Sequence, residues 1–318
     1  MGFNAAVLRA GASALMSTSE SMDVINMLPA KSAALSFFDS GYRMTQKQHS
    51  VPILASLPAA GFVDGDTGLK TTTSVEWRKL NYVAEEIACI VPIAEAVLDD
   101  ASVDLWGQIK PLIVEAFGKV IDGAVFKGID LPVTWGPALV AGAIAAGNYY
   151  AAGHATQADG GIVEDMNQTM ALVEAEGYDV NCWIVPTTFK HVLRSLRDTT
   201  GQKLLDATAS TIEDIAVRYV KPDVWPDTAL ALCGDASKAK IAIRQDITYK
   251  LVDQGVLQDG DGLITYNLIQ QDMVALRVVM RLAYQVARPI TREKPTYGDA
   301  TAFPFAVLTP EVPEEGGQ

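Results

Sequence analysis

The chain has 318 residues, of which 49% are hydrophobic and 20% are charged, so it is long enough for about two domains with a sizeable core. This balance excludes a globally disordered protein. The formal net charge of −13 argues against general affinity for nucleic acid, because such binding needs Lys and Arg to neutralise phosphates.

The first 32 residues are rich in Ala, Ser and Met and have too few aromatic side chains to form a core of their own. No cationic region precedes the first apolar stretch, and Gly11 and Ser13 interrupt that stretch, so we expect no signal peptide. An extended arm lying on other subunits fits this composition, and a loosely ordered tail is the alternative.

Residues 50–82 predict a two-stranded arm. The outgoing strand places Val51 and Ile53 on one face, and the return strand from Thr71 to Tyr82 is rich in the β-branched and aromatic residues that strands prefer. The sequence Asp64-Gly65-Asp66-Thr67-Gly68 between them supplies turn residues. Such a ribbon buries little of itself, so we expect it to project onto a neighbour. A hairpin folded flat on its own domain is the alternative.

A long helix is predicted from Ser102 to Lys127, after the capping residues Asp99 and Asp100. Pro111 predicts a kink or break, and Gly128 ends the helix. The predicted apolar stripe consists of Leu105, Ile109, Leu112, Ala116, Val120 and Ala124.

Residues 162–260 have the pattern of an α/β domain. Helical spacing covers Ile162–Glu176, a strand covers Asn181–Val185, and Pro186 opens a further helix. Three more strands are predicted at Ala229–Cys233, Lys240–Ile243 and Ile247–Val252. Apolar residues at every second position then predict one long strand over Asp272–Ala287, and an acidic tail follows.

Four stretches carry a resemblance to a known family. They are Ser50–Gly128, CWIVPTTFKHVLRSLRDTTGQKLL from Cys182, CGDASKAKIAIRQDI from Cys233 and ALRVVMRLAYQVARP from Ala275. Together they resemble the major capsid proteins of tailed double-stranded DNA phages, which have the HK97-like fold. The resemblance implies an α+β chain divided into an N-terminal arm (1–32), a connecting segment (33–49), an extended β-hairpin E-loop (50–82), a peripheral (P) domain with a long spine helix (83–134), an axial (A) domain (135–264), the closing strand of the P domain (265–305) and a C-terminal tail (306–318).

The resemblance also implies a structural function. Many copies would form hexamers and pentamers that close into an icosahedral shell around packaged DNA, and an acidic wall that does not adhere to DNA suits that use. The expected location is the virion, with assembly in the host cytoplasm and no membrane association. About 30 residues precede the recognisable fold, which is too few for a scaffolding segment, so we expect a separate scaffolding protein, a portal and a decoration protein as partners. An encapsulin-like shell that encloses a cargo enzyme is the alternative.

No catalytic, cofactor or metal motif is recognisable. The three histidines form no metalloprotease pattern, and no phosphate-binding loop is present. Cys182 with His191 is the one conceivable nucleophile and base, but Cys182 begins an apolar strand and we interpret it as a buried thiol. The Asp259-Gly260-Asp261-Gly262 sequence fits a hairpin turn better than a calcium loop.

Contact between subunits is expected at the E-loop tip, which comprises Asp64, Gly65, Asp66, Thr67, Gly68 and Lys70. Some relatives join subunits by a Lys–Asn isopeptide bond that an acidic residue of the closing strand promotes. Lys70 lies near the position of such a lysine, but Arg277–Arg281 has no carboxylate. We therefore expect no covalent cross-link.

Overall fold

The computed structural model describes residues 32–63, 69–70, 72–101, 105–156, 160–196, 211–212 and 214–310. The helices are α1 (Ala33–Phe37), α2 (Glu95–Asp100), α3 (Leu105–Asp122), α4 (Leu139–Ala146), α5 (Ile162–Ala175) and α6 (Lys190–Ser195). The strands are β1 (Asp39–Arg43), β2 (Gln48–Leu54), β3 (Trp77–Val83), β4 (Glu85–Ala94), β5 (Tyr149–Ala151), β6 (Cys182–Pro186), β7 (Thr211–Ile212), β8 (Ile215–Val220), β9 (Ala231–Gly234), β10 (Ala239–Val252), β11 (Val256–Gln258), β12 (Ile264–Asn267), β13 (Met273–Val286) and β14 (Phe305–Thr309).

The first sheet has the strand order β1-β10-β13-β4. β13 pairs antiparallel with β10 on one side and with β4 on the other, whereas β1 joins the far edge in parallel. The predicted strand Asp272–Ala287 is confirmed to within one residue at each end. Its alternate side chains, such as Val278 and Leu282, are buried, while Arg277 and Arg281 are exposed.

β10 is one strand where the sequence predicted two. Its register shifts between Ile243 and Gln245 and again between Gln245 and Thr248, so pairing with β13 continues through a bulged bend. The strand lies in the first sheet although it belongs to the range 135–264. The sheet that a strand joins depends on the partner that it meets in space, and local sequence does not contain that information.

The second sheet has the order β5-β14-β9-β6-β8-β7 and mixes parallel with antiparallel pairs. The predicted helix over residues 162–176 is confirmed as α5, whose Met166, Met170 and Val173 are buried. Pro186 ends β6 rather than opening an α-helix directly, because a 3-10 turn at Thr187–Phe189 precedes α6.

The C-terminal range differs from the sequence prediction. The tail was expected from residue 306, but Phe305–Leu308 is fully buried in β14 between β5 and β9. A fully buried strand is a short continuous apolar run in which polar and apolar residues do not alternate. Without that alternation, residues 306–309 could not be recognised as a strand from the sequence and were assigned to the tail.

The long helix is confirmed in position, and its predicted buried face is confirmed only in part. α3 runs through Pro111 without a break, continues as a π-helical turn at Gly123–Lys127 and ends at Gly128, whose φ is +79°. The core side holds Ile113, Phe117 and Ile121. Of the predicted stripe, Leu105 and Ala124 are buried and Ile109 packs against the core, so its two ends are confirmed. Its middle was wrong, because Leu112 and Val120 are 56% and 48% exposed and Ala116 is exposed too. Two adjacent apolar stripes satisfy the same helical period, and only the packing against the first sheet selects one.

The arm is a hairpin at its base. β2 and β3 pair antiparallel from Gln48–Val83 to Leu54–Trp77, which confirms the hairpin but shortens its strands. Beyond them a single bridge joins Ser56 to Thr296. Residues 57–63 and 72–79 are exposed, whereas Ser56 and Leu57 lie beside residues 289–296 of the same chain, so the projecting arm stays a prediction.

Candidate assembly surfaces

The predicted tip residues Asp64–Gly68 lie outside the described residues, as do residues 1–31 of the predicted N-terminal arm. Lys70 is described and exposed, and it has no ion pair within the described part of the chain. Around the tip the arm exposes large apolar side chains, including Phe62, Leu69 and Trp77. Contact between subunits at this tip stays a prediction, which these exposed side chains suit because apolar surface gains free energy when it leaves water.

β13, the predicted closing strand, carries its cations Arg277 and Arg281 at exposed positions. The Arg281 side chain pairs with Glu86 of β4, with 2.7 Å between Nε and Oε2. Arg277 lies opposite Lys250 of β10 in the ladder, and no ion pair involves either of them among the described residues. Arg277–Arg281 has no carboxylate in the sequence, and Glu86 of β4 is the carboxylate that pairs with Arg281.

A buried carboxylate at the end of α3 fixes the start of the described chain. Asp122 Oδ1 accepts hydrogen bonds from Ser32 Oγ at 2.6 Å and Ala34 N at 2.9 Å, and Oδ2 accepts from Ala33 N at 2.9 Å. Burial raises the pKa of Asp122, and these three hydrogen bonds act in the opposite direction. These hydrogen bonds therefore attach the start of α1 to the C-terminal end of α3.

Aromatic side chains pack around this contact between α1 and α3. The Phe38 ring lies 6.1 Å from that of Phe126 and 6.4 Å from that of Phe305, and Phe126 in turn lies 5.9 Å from Trp225. These rings join α1, the π-helical turn and the second sheet. Sequence analysis missed Asp122, although a carboxylate between the apolar Ile121 and Ala124 of a long helix was the available signal.

A second buried carboxylate links α5 to the C-terminal segment. Glu176 Oε2 accepts from Asn148 Nδ2 at 3.1 Å and from Phe303 N at 2.9 Å. Burial raises the pKa of Glu176, and its hydrogen bonds act against that rise. Sequence analysis missed this role of Glu176, because the donors are 28 and 127 residues away along the chain.

The thiols have the environment of core residues. Cys182 and Cys233 are fully buried, and Cys89 is half-buried. Burial raises the pKa of Cys182 to about 11, so little thiolate exists at neutral pH. The exposed His191 ring contacts the backbone oxygen of Thr188. These features disfavour the Cys182 nucleophile.

The described residues hold no cluster of three or more His, Cys, Asp or Glu side chains suited to a metal ion. The predicted turn at Asp259–Gly262 is confirmed as the end of the β11–β12 hairpin, where Asp259 Oδ1 accepts from the backbone of Asp261 and Leu263. In the same part of the chain no helix is both long and apolar enough to cross a membrane.

Comparisons with known proteins agree with this architecture. The phage capsid family model matches residues 14–291. The chain is 27% identical over 239 residues to the major capsid protein of Staphylococcus phage 80alpha, covering 73% of this chain and 70% of that protein.

Solved structures extend the likeness to nearly the whole chain. A structure from Microbacterium phage Oxtober96 is 38% identical with a TM-score of 0.81, and the match covers 96% of this chain and 100% of that one. One from Mycobacterium phage Bobi is 30% identical with a TM-score of 0.79 and coverage of 97% and 100%. The capsid of a native GTA particle, 16% identical with a TM-score of 0.68 over 98% and 100% of the two chains, shares the fold.

The family model covers most of the chain, and the family is one of structural, non-enzymatic proteins of the virion capsid. The mixed α/β fold described above is that of HK97-like capsid structures. The chain therefore belongs to the phage capsid family, as a major capsid protein of the HK97-like kind.

Proposed function

We propose that this capsid subunit assembles as hexamers and pentamers of an icosahedral phage head around double-stranded DNA. The observation that supports this proposal is the exposure of the arm. Residues 57–63 and 72–79 are exposed and present Phe62 and Trp77 to solvent. A side chain such as Phe62 contributes free energy only when it leaves water, and a neighbouring subunit supplies that environment. Many such contacts per particle stabilise the shell through multivalency.

The two sheets support a division into domains. The first sheet with α3 corresponds to the P domain, and α3 to its spine helix, whereas the second sheet with α4, α5 and α6 corresponds to the A domain. On this basis the P domain also contains β10, and the A domain also contains β14. Residues 50–82 correspond to the E-loop, and residues 1–32 to the N-terminal arm.

The E-loop tip, Asp64–Gly68 with Lys70, is proposed to contact a neighbouring subunit without a covalent bond. Arg277–Arg281 provides no carboxylate to promote an isopeptide bond, and Glu86 of the adjacent strand is paired with Arg281. Mature particles dissolved in denaturant and run on a gel should give one band at 34.0 kDa. A ladder of covalent multimers would contradict this reading.

A separate scaffolding protein, a portal and a decoration protein are proposed as partners. The net charge of −13 supports enclosure of DNA without specific binding. Assembly is expected in the host cytoplasm. The contents of purified particles test the choice of cargo: DNA supports a phage head, whereas a single cargo enzyme would favour an encapsulin-like compartment.

Sedimentation velocity with negative-stain images of the fastest fraction tests the shell directly. We expect closed particles in the megadalton range, on the order of hundreds of subunits held by multivalent contacts. Deleting Asp64–Gly68 should leave a folded subunit that does not close shells. A matched variant in which these five residues are replaced by Gly and Ser keeps the length of the arm but removes its two charges. Comparing the two variants shows whether shell closure depends on the length of the tip or on its charge. Normal particles from the deletion would refute the role of the tip.

A further inference from the structure

The arm meets its own chain at two separate places. At its near end, Tyr82 is buried in a cluster with Ala283 of the first sheet. Beyond the far end of the β2–β3 ladder, an isolated antiparallel bridge joins Ser56 to Thr296. Ser56 lies about 24 Å along the strand from His49, the ladder partner of Tyr82. An element held at one point can rotate about that point, whereas contacts at two separated points fix its direction.

The far contact is made by a segment that is itself attached to the second sheet. Residues 287–304 connect β13 to β14, and we call them the strap. Tyr178 Oη donates a hydrogen bond to the backbone oxygen of Pro289 at 2.9 Å, and Thr291 Oγ1 donates to that of Glu176 at 2.6 Å. Tyr178 and Glu176 are buried just after the end of α5. The strap therefore keeps its position relative to the second sheet.

The two segments of the arm are joined to each other where the strap meets them. Ala55 N donates a hydrogen bond to the backbone oxygen of Glu76 at 2.7 Å, and Glu76 N donates to Ser56 Oγ at 2.9 Å. The outgoing and return segments are thus held together at this level. A contact between the strap and Ser56 therefore positions both segments.

The contact between the arm and the strap is small. Leu57 is 37% exposed, and it lines an open cavity of about 520 Å³ beside Tyr178 and Ile290. Charged side chains such as Asp179 and Arg292 line the same cavity. Because Leu57 is only partly packed, the bridge is the main link between the arm and the strap. A single substitution in the bridge can therefore release the arm without unfolding the subunit.

We propose that the bridge between Ser56 and Thr296 fixes the direction of the arm relative to the second sheet, so that each subunit presents its arm to a neighbour in one orientation. A binding element that is already oriented in the free subunit loses less conformational entropy when subunits associate. The inference rests on the proposed function, since the direction of the arm matters only if a second subunit contacts it.

A disulfide tests whether the bridge is populated in the free subunit. Ser56→Cys and Thr296→Cys are combined with Cys89→Ser, because the other two native cysteines are fully buried. Directly opposed residues of an antiparallel pair have Cα atoms about 4.5–5.5 Å apart, which a disulfide can span. We expect nearly complete oxidation within one chain. Ala59→Cys with Thr296→Cys is the matched control and should oxidise at least about tenfold more slowly, because Ala59 lies about 10 Å further along the arm.

Assembly measurements test what the bridge does. Oxidised subunits, in which the bridge is locked, should assemble at the same concentration as the unmodified chain or at a lower one. Thr296→Pro removes the backbone N–H and fixes φ, whereas Thr296→Val keeps the N–H and the β-branched shape. We expect Thr296→Pro to raise the subunit concentration needed for assembly about tenfold, as a fall in the correctly oriented fraction to about a tenth predicts. Thr296→Val should assemble as the unmodified chain does.

Three results would overturn the inference. The first is the absence of a disulfide between the cysteines placed at Ser56 and Thr296 in the free subunit. The second is loss of assembly on oxidation that reduction restores, which would mean that the arm must leave the strap. The third is equal assembly of Thr296→Pro and Thr296→Val. If shells of the unmodified chain close and deletion of Asp64–Gly68 prevents closure, any of these results leaves the proposed function standing while this inference fails.

Discussion

The anchor between Asp122 and Ser32 gives the most direct test of how the N-terminal segment is attached. Asp122→Ala removes the acceptor of three hydrogen bonds and leaves one buried hydroxyl and two backbone N–H groups to find other partners. Each buried donor left unsatisfied costs about 1–3 kcal/mol. Relief of the desolvation that raises the pKa of Asp122 offsets part of this loss. We expect a net decrease of about 3 kcal/mol in the free energy of unfolding.

The assay combines urea unfolding of the free subunit with hydrogen exchange of α1. Asp122→Ala should abolish the protection of the Ala33 and Ala34 amides, while protection of β13 follows only the global loss of stability. Asp223→Ala is the matched control, because that carboxylate is partly exposed and pairs with Lys119 at 3.0 Å, an interaction worth less than about 1 kcal/mol.

A double-mutant cycle isolates the contact itself. Ser32→Ala alone should cost more than the about 1 kcal/mol of its N-cap bond from Leu35 N, because it also removes the hydrogen bond to Asp122, and only the N-cap part should remain in the Asp122→Ala background. Additive effects, or an Asp122→Ala variant within about 0.5 kcal/mol of the unmodified protein with α1 still protected, would refute the anchor.

Three further predictions follow from the core and its titratable groups. Gly142→Ala should destabilise the subunit by about 1–3 kcal/mol in thermal unfolding, because a Cβ there would lie 2.6 Å from a buried phenylalanine ring, whereas Gly123→Ala, with no atom closer than 3.9 Å, should be tolerated. Iodoacetamide should label Cys89 in the native subunit and Cys182 only after unfolding, because Cys182 is buried and burial raises its pKa to about 11. Rapid labelling of Cys182 in the native subunit would restore the nucleophile hypothesis. Burial alone would raise the pKa of Asp235, but hydrogen bonds from Ser237 and Asn181 and the charge of Lys238 hold it below its usual value. Its contribution to stability is therefore complete above about pH 4 and is lost as the pH falls through the lowered pKa, so Asp235→Asn should flatten the acid limb of a stability-versus-pH curve.

The amino-acid sequence determined the elements whose pattern is local. The alternation of β13, the period of α5, the turn at Asp259–Gly262 and the glycine that ends α3 all depend on neighbouring residues, and each was predicted close to its observed position. The resemblance of a few stretches to a known family then indicated the order of these elements and the function.

Tertiary structure decided which partners those elements meet. It placed β10 in the first sheet and the apolar run at Phe305 in the middle of the second. It also selected the buried stripe of α3 and brought Asp122 to Ser32 across 90 residues of chain. A helical period or an apolar run fixes only that a face is buried. The neighbour that covers it comes from elsewhere in the chain, so only the packed fold identifies that neighbour.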